Sequence, residues 1–255
     1  MPWLVAQGNK YGYATNYHAD NPGSLMDYLW LSSGSCHNAV NCTLPVGTHD
    51  FGCGGSGCTK TPITDDNIFR ELETSGLTWK VYAQSLPYVG YASTTVNSGA
   101  YLVRHNPAIF YSDVFNNKAL QQNIVPFTQF AADMATNQLP NYSIIVPDAN
   151  NDAHNGTLAQ ADSFLMNSVA PVLQSTPFQA GGDGLLFITF DECDAAVGAC
   201  PEQVYTAVIG PSVKPGTVSN AYYKHESALR TILDALGVTV YPGASNGAPD
   251  MKDFF

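Results

Sequence analysis

The strongest constraint in this chain is where its apolar runs stop. The run at 185–190 (LLFITF) passes directly into Asp191-Glu192, and the run at 143–146 passes into Pro147-Asp148-Ala149-Asn150-Asn151-Asp152-Ala153-His154. Both runs have the length of a buried strand and fall far short of the roughly 20 residues that a membrane helix needs. Further strand-like runs lie at 78–83 and 205–209, the last closed by Gly210-Pro211. Helical signals alternate with them. Residues 24–33 place Leu25, Tyr28 and Leu29 at helical spacing and stop at Gly34. Thr64-Asp65-Asp66 reads as a cap cluster for a helix through Leu72. Residues 157–173 and 226–236 are helical, ended by Pro171 and Gly237. This alternation predicts one α/β domain over 1–255, with a mostly parallel central sheet and helices on both faces. In such sheets ligands bind beyond the carboxyl ends of the strands. The two acidic strand endings fall there.

Composition narrows the function classes. A 45% hydrophobic share over 255 residues is enough for a sizeable core and excludes general disorder. Ten Lys and Arg against 21 Asp and Glu give a net charge of −11, which excludes nucleic acid as a partner held by charge. Six cysteines fall in three close pairs, Cys36/Cys42, Cys53/Cys58 and Cys193/Cys200. An even count in short polar loops predicts disulfides of open connectivity and a secreted or periplasmic location. None of the pairs has the two-residue spacing of a zinc cluster. The Gly- and Pro-rich stretch 45–62 reads as a cysteine-bearing surface excursion, and no basic leader is visible at Met1-Pro2-Trp3.

Three more segments carry polar chemistry. In Asp20-Asn21-Pro22-Gly23-Ser24-Leu25-Met26-Asp27-Tyr28 a serine sits at a turn that opens a helix. Free N–H groups there suit a phosphate, so Ser24 is a candidate nucleophile, with helix capping as the alternative. His225, in Tyr222-Tyr223-Lys224-His225-Glu226-Ser227, precedes a helix, and Arg104-His105-Asn106-Pro107 forms a compact polar cluster.

In this order, the segments resemble the phosphoesterase family that groups acid phosphatases with bacterial phospholipases C, inside the alkaline phosphatase superfamily. Residues 20–34 resemble its nucleophile segment, and Arg104-His105-Asn106-Pro107 its Lys/Arg-His-Asn-Pro motif. Asn151-Asp152-Ala153-His154 is similar to its Asn-Asp-x-His segment, Thr189-Phe190-Asp191-Glu192 to its Thr-Trp/Phe-Asp-Glu strand end, and Tyr223-Lys224-His225-Glu226-Ser227 to Tyr-x-His-Tyr-Ser.

The resemblance implies a metal-dependent phosphoric ester hydrolase that works through a phosphoserine. Ser24 would be the nucleophile, and His105 would contact the phosphate or protonate the leaving oxygen. Asp152, His154, Asp191, Glu192 and His225 would hold one or two divalent metal ions, with Asp148 substituting if Asp152 points away. Zinc, manganese, iron and calcium are not distinguished. The substrate would be a small-molecule or lipid phosphate ester.

The family's first strand ends in a Glu-Asn pair, and nothing before Trp3 supplies one. A missing N-terminal strand and impaired activity are therefore expected. Pro22-Gly23-Ser24 stands where His-Pro-Ser is common, and Asp27 replaces the usual Asn. A phospholipase C-type phosphodiesterase and a non-catalytic secreted module holding a structural cation are the alternatives.

Overall fold

The computed structural model describes residues 1–20, 23–36, 62–93, 97–193 and 202–255. In chain order the elements are α1 (Pro2–Lys10), β1 (Gly12–Ala14), α2 (Ser24–Ser33), α3 (Ile68–Thr74), β2 (Trp79–Ala83), α4 (Ser112–Phe115), α5 (Lys118–Gln121), β3 (Ile124–Pro126), α6 (Thr128–Ala135), β4 (Tyr142–Val146), α7 (Leu158–Phe164), β5 (Leu186–Ile188), β6 (Thr206–Ile209), β7 (Thr217–Ser219) and α8 (His225–Ala235). Short 3₁₀ turns connect several of them, including Val103–His105.

The strands form two sheets, one in the order β3-β2-β4 and a larger one in the order β5-β6-β1-β7. The smaller is parallel throughout. The larger corrects the expected mostly parallel sheet. In it β6 runs antiparallel to both β5 and β1, and β1–β7 is its one parallel pairing. Antiparallel neighbours need no helical crossover, so strand–helix alternation says nothing about them. Both β1 and β7 are three residues long, too short to register as a periodic run.

Local chemistry explains the element boundaries. Asn67, rather than the preceding Thr64-Asp65-Asp66, caps α3 by accepting from the Arg70 N–H. Thr157 and Gln160 form a reciprocal capping box at the start of α7. Gly34 ends α2 in the left-handed conformation, with φ at 63°.

The main core joins α2, α3 and α8 to the parallel sheet through Leu25, Leu29, Phe69, Leu72, Trp79, Val81, Leu229 and Leu233. Each such large apolar side chain contributes about 1.5–3 kcal/mol relative to exposure. This packing holds α2 against α8, so residues at the start of both helices are fixed relative to one another. No helix among the described residues is long and apolar enough to cross a membrane.

The expectation of disulfides is corrected for the described residues. No disulfide joins two described residues. Of the six cysteines only Cys36 and Cys193 are described, neither is a free thiol, and the other four lie outside the described residues, as does 45–61 of the predicted excursion.

One buried carboxyl on α3 yields a pH prediction. Glu71 is pushed up from 4.5 to about 6, first by burial and then by the neighbouring Asp66, with Arg70 offsetting part. A carboxyl raised in the fold prefers its protonated form there, so the folded state loses stability as pH rises from 4.5 through 6. Glu71→Gln is expected to melt with the parent protein near pH 4 and above it at pH 7 and higher. A difference in Tm that does not grow over this interval would contradict the assignment.

Candidate active site

The site is built outward from the first turn of α2. Ser24, Asp27 and Tyr28 stand at i, i+3 and i+4 and therefore share one helix face. Ser24 does not cap the helix: Gly23 occupies that position, with φ at 123°, and no side chain caps the end. The hydroxyl is used elsewhere. Ser24 Oγ donates to Glu192 Oε1 at 2.8 Å, and the Gly23 N–H donates to Glu192 Oε2 at 2.6 Å. A carboxylate at this helix start also meets the positive end of the helix dipole.

His225, the first residue of α8, is fully buried, as is Asp27. Its Nε2 lies 2.7 Å from the Asp191 backbone oxygen and 3.5 Å from Asp27 Oδ1. Its Nδ1 lies 3.1 Å from the Tyr17 hydroxyl. Burial dominates its titration and pushes its pKa below 6.5, leaving a neutral imidazole, the form that can ligate a metal. Burial, followed by the charges of Asp20, Glu226 and Asp27, holds the Tyr17 hydroxyl protonated well above its ordinary range.

Asp20, Asp27 and His225 each offer one ligand atom, all within 4.8 Å of one another, and no other such group of three occurs among the described residues. The Asp20 N–H donates to Asp27 Oδ1 at 2.9 Å, and the Lys224 ammonium pairs with Asp20 Oδ1 at 2.5 Å. Two carboxylates and an imidazole suit a borderline cation such as zinc, manganese or iron. Asp20, Asp27 and His225 turn these oxygen and nitrogen donors towards one another, so the donor set fits a divalent ion.

The remaining expected residues gather alongside. His105, in the turn Val103–His105, places Nδ1 3.1 Å from Asp152 Oδ2. Its buried Nε2 has no hydrogen-bond partner among the described residues. The His154 N–H donates to Asp152 Oδ1 at 2.7 Å, and Arg104 Nη2 lies 2.8 Å from His154 Nε2. The His105 and His154 rings meet edge to face at 5.9 Å.

Tyr28 joins the two groups. Its ring stacks on His105 at 5.4 Å. Its hydroxyl pKa is raised far above 10 by burial and then by Asp191 and Asp152, with a smaller contribution from Glu192 and a partial offset from Arg104. Charges from both groups therefore act on one phenol.

Of the five metal ligands implied by the resemblance, His225 alone is in the three-residue group. Asp191 reaches His225 through its backbone oxygen, while Glu192 engages Ser24. Asp152 and His154 lie with His105 and Arg104. Asp148, the substitute ligand, is buried, accepts from Ser85 Oγ at 2.6 Å and from the Asn150 N–H at 3.1 Å, and organises its own loop. Asp20 and Asp27 were missed. The available signal was the i, i+3 spacing of Asp27 from Ser24, which puts both on one helix face.

The model of the Phosphoesterase family matches residues 1–239. A probable acid phosphatase of Kluyveromyces lactis is 28% identical over 240 residues, covering 91% of this chain and 52% of that protein. An acid phosphatase of Aspergillus fumigatus is 27% identical, with 91% and 49% covered. A phosphatidylinositol-3-phosphatase of Mycobacterium tuberculosis is 30% identical over 231 residues, with 91% and 68% covered. The chain thus spans about half the length of the fungal relatives. With a family match running from the first residue past the end of α8, and those relatives beside it, the chain belongs to the Phosphoesterase family.

Proposed function

We propose that this chain hydrolyses phosphomonoesters, with Ser24 as nucleophile and a divalent cation held by Asp20, Asp27 and His225. The observation that carries the reading is the Ser24 hydroxyl donating to a carboxylate oxygen of Glu192, which is itself anchored by the Gly23 N–H. A serine hydroxyl is a weak nucleophile at neutral pH and needs such an acceptor. Glu192 takes the serine proton as the Oγ–P bond forms and the ester P–O bond breaks. His105, with its free Nε2, supplies the proton to the leaving oxygen. Water then attacks the phosphoserine: His105 takes the water's proton, and Ser24 recovers its own from Glu192. A cation held by Asp20, Asp27 and His225 would supply Lewis-acid stabilisation of the charge that develops on oxygen. Asp191, Asp152 and His154 complete the polar wall. The relatives are named as acid phosphatases and as a phosphatidylinositol-3-phosphatase, which supports a small-molecule or lipid phosphomonoester as substrate.

Hydrolysis of a chromogenic phosphomonoester is expected to fall at least about tenfold on chelation and to return on adding zinc or manganese. The metal content of the protein, measured by elemental analysis, is expected to fall in Asp27→Asn. A folded protein that turns over no phosphomonoester with any of these metals would overturn the proposal.

A further inference from the structure

We propose that Arg104, held in place by His154, is the cation that receives the non-bridging oxygens of the substrate's phosphate. This rests on the phosphoesterase reading above and names the group that recognises the anion.

The chain has three arginines, and two have their charge answered by carboxylates. Arg70 pairs with Asp113 at 2.7 Å, and Arg230 with Asp234 at 3.1 Å. Arg104 pairs with no carboxylate among the described residues. Its guanidinium makes one hydrogen bond there, through Nη2 to the imidazole Nε2 of His154. In a protein of net charge −11, a guanidinium whose hydrogen-bond partner is an imidazole faces no compensating carboxylate among the described residues. It also keeps most of its five N–H donors for another partner. A planar fork of that kind matches two oxygens of a phosphate.

Arg104 sits on a backbone anchored on both sides. Val103 and His105, on either side of Arg104, are both buried. The His154 main-chain N–H donates to Asp152 Oδ1, the other oxygen of that carboxylate faces His105 Nδ1, and the His154 ring meets the His105 ring edge to face. Arg104, His154, Asp152 and His105 therefore form a closed circuit. His105 stacks on Tyr28, one helical turn from Ser24 on the same face of α2. Arg104 is also among the charges that act on the Tyr28 hydroxyl. The cation thus stands on the nucleophile's side of the fold, beside a buried His105 Nε2 that lacks a hydrogen-bond partner among the described residues. Under this assignment His154 is a positioning residue for Arg104.

The test is calorimetric titration of inorganic phosphate into the parent protein and four variants. Arg104→Gln is expected to weaken binding roughly tenfold to a hundredfold, the range for a lost charge-assisted hydrogen-bond pair. His154→Ala is expected to weaken it several-fold, and His154→Gln, which keeps an acceptor, to restore most of that loss. Lys252→Gln removes one positive charge from a side chain that is 81% exposed and is expected to leave binding unchanged. Should Arg104→Gln fail to fold in a thermal melt, Arg104→Lys takes its place, with binding weakened several-fold because the charge survives and the fork does not. Unchanged phosphate affinity in the folded Arg104 variant would overturn the assignment, whatever the fate of Ser24 as nucleophile. If His154→Gln is as weak as His154→Ala, the positioning role falls. Loss of phosphate affinity in Arg104→Gln alongside unaffected turnover in Ser24→Ala would keep the anion site and sink the hydrolytic mechanism.

Discussion

Ser24→Ala is expected to lower turnover of a phosphomonoester by at least about a thousandfold, the scale seen when a nucleophile is removed, and to leave the fold as it was. The structural side of this expectation follows from the start of α2. Were Ser24 the cap, its loss would cost about 1 kcal/mol of stability. Gly23 is the cap instead, and Ser24 is the first helical residue, where alanine is at least as good a helix former. Glu192 keeps its hydrogen bond from the Gly23 N–H when the serine hydroxyl is gone. The Tm is therefore expected to stay within about 2 °C of the parent protein, while initial rates collapse. A variant that turns over at the parent rate would remove Ser24 from the mechanism. A variant that loses rate and several degrees of Tm together would restore the capping role that the geometry denies it.

The parts of this protein that could be read from sequence are those governed by local rules. The run at 143–146 became β4, part of the run at 185–190 became β5, and Gly34 stopped α2 in the conformation that favours glycine. The acidic run after one strand and the start of a helix pointed to Glu192 and His225, and the structure puts Glu192 on Ser24 rather than in the three-residue group that holds His225. The strand directions were not. β1 is three residues long and pairs with β6 and β7 from far along the chain, and no local pattern records which way a distant partner runs. The same limit applies to Asp27. In sequence it is a departure from the usual Asn. Its meaning comes from full burial beside His225, which depends on α2 packing against α8. For Asp191 the residue was found but not the atom: its backbone oxygen, rather than its carboxylate, meets the imidazole. Neighbouring residues near a strand end point different ways, so Asp191 and Glu192 were never bound to act as a pair.

The far end of α2 supports a second large effect, on stability. Gly34 has φ at 63°, and a Cβ built there would lie 2.6 Å from the Pro242 oxygen, 2.8 Å from the Ser245 nitrogen and 2.9 Å from the Ala244 nitrogen. All three are backbone atoms and cannot rotate away. The contact is close because the Ala244 N–H donates to the Gly34 oxygen at 2.9 Å, which ties the turn Gly243–Asn246 to the helix end. Gly237 provides the control. It too is left-handed, at φ 71°, but a Cβ there would meet nothing within 4 Å. Gly237→Ala therefore carries the left-handed strain alone, about 1–2 kcal/mol, or roughly 2–8 °C in Tm for a chain of this size. Gly34→Ala carries the same strain plus displacement of the turn, about 3 kcal/mol in all, or roughly 6–12 °C. Activity should separate the two further. Moving the C-terminal end of α2 tilts the helix whose first turn holds Ser24 against Glu192, so Gly34→Ala is expected to lose rate at temperatures where it is still folded, and Gly237→Ala is not. Equal Tm losses in the two variants would mean that the turn yields freely and that α2 is not anchored at this end.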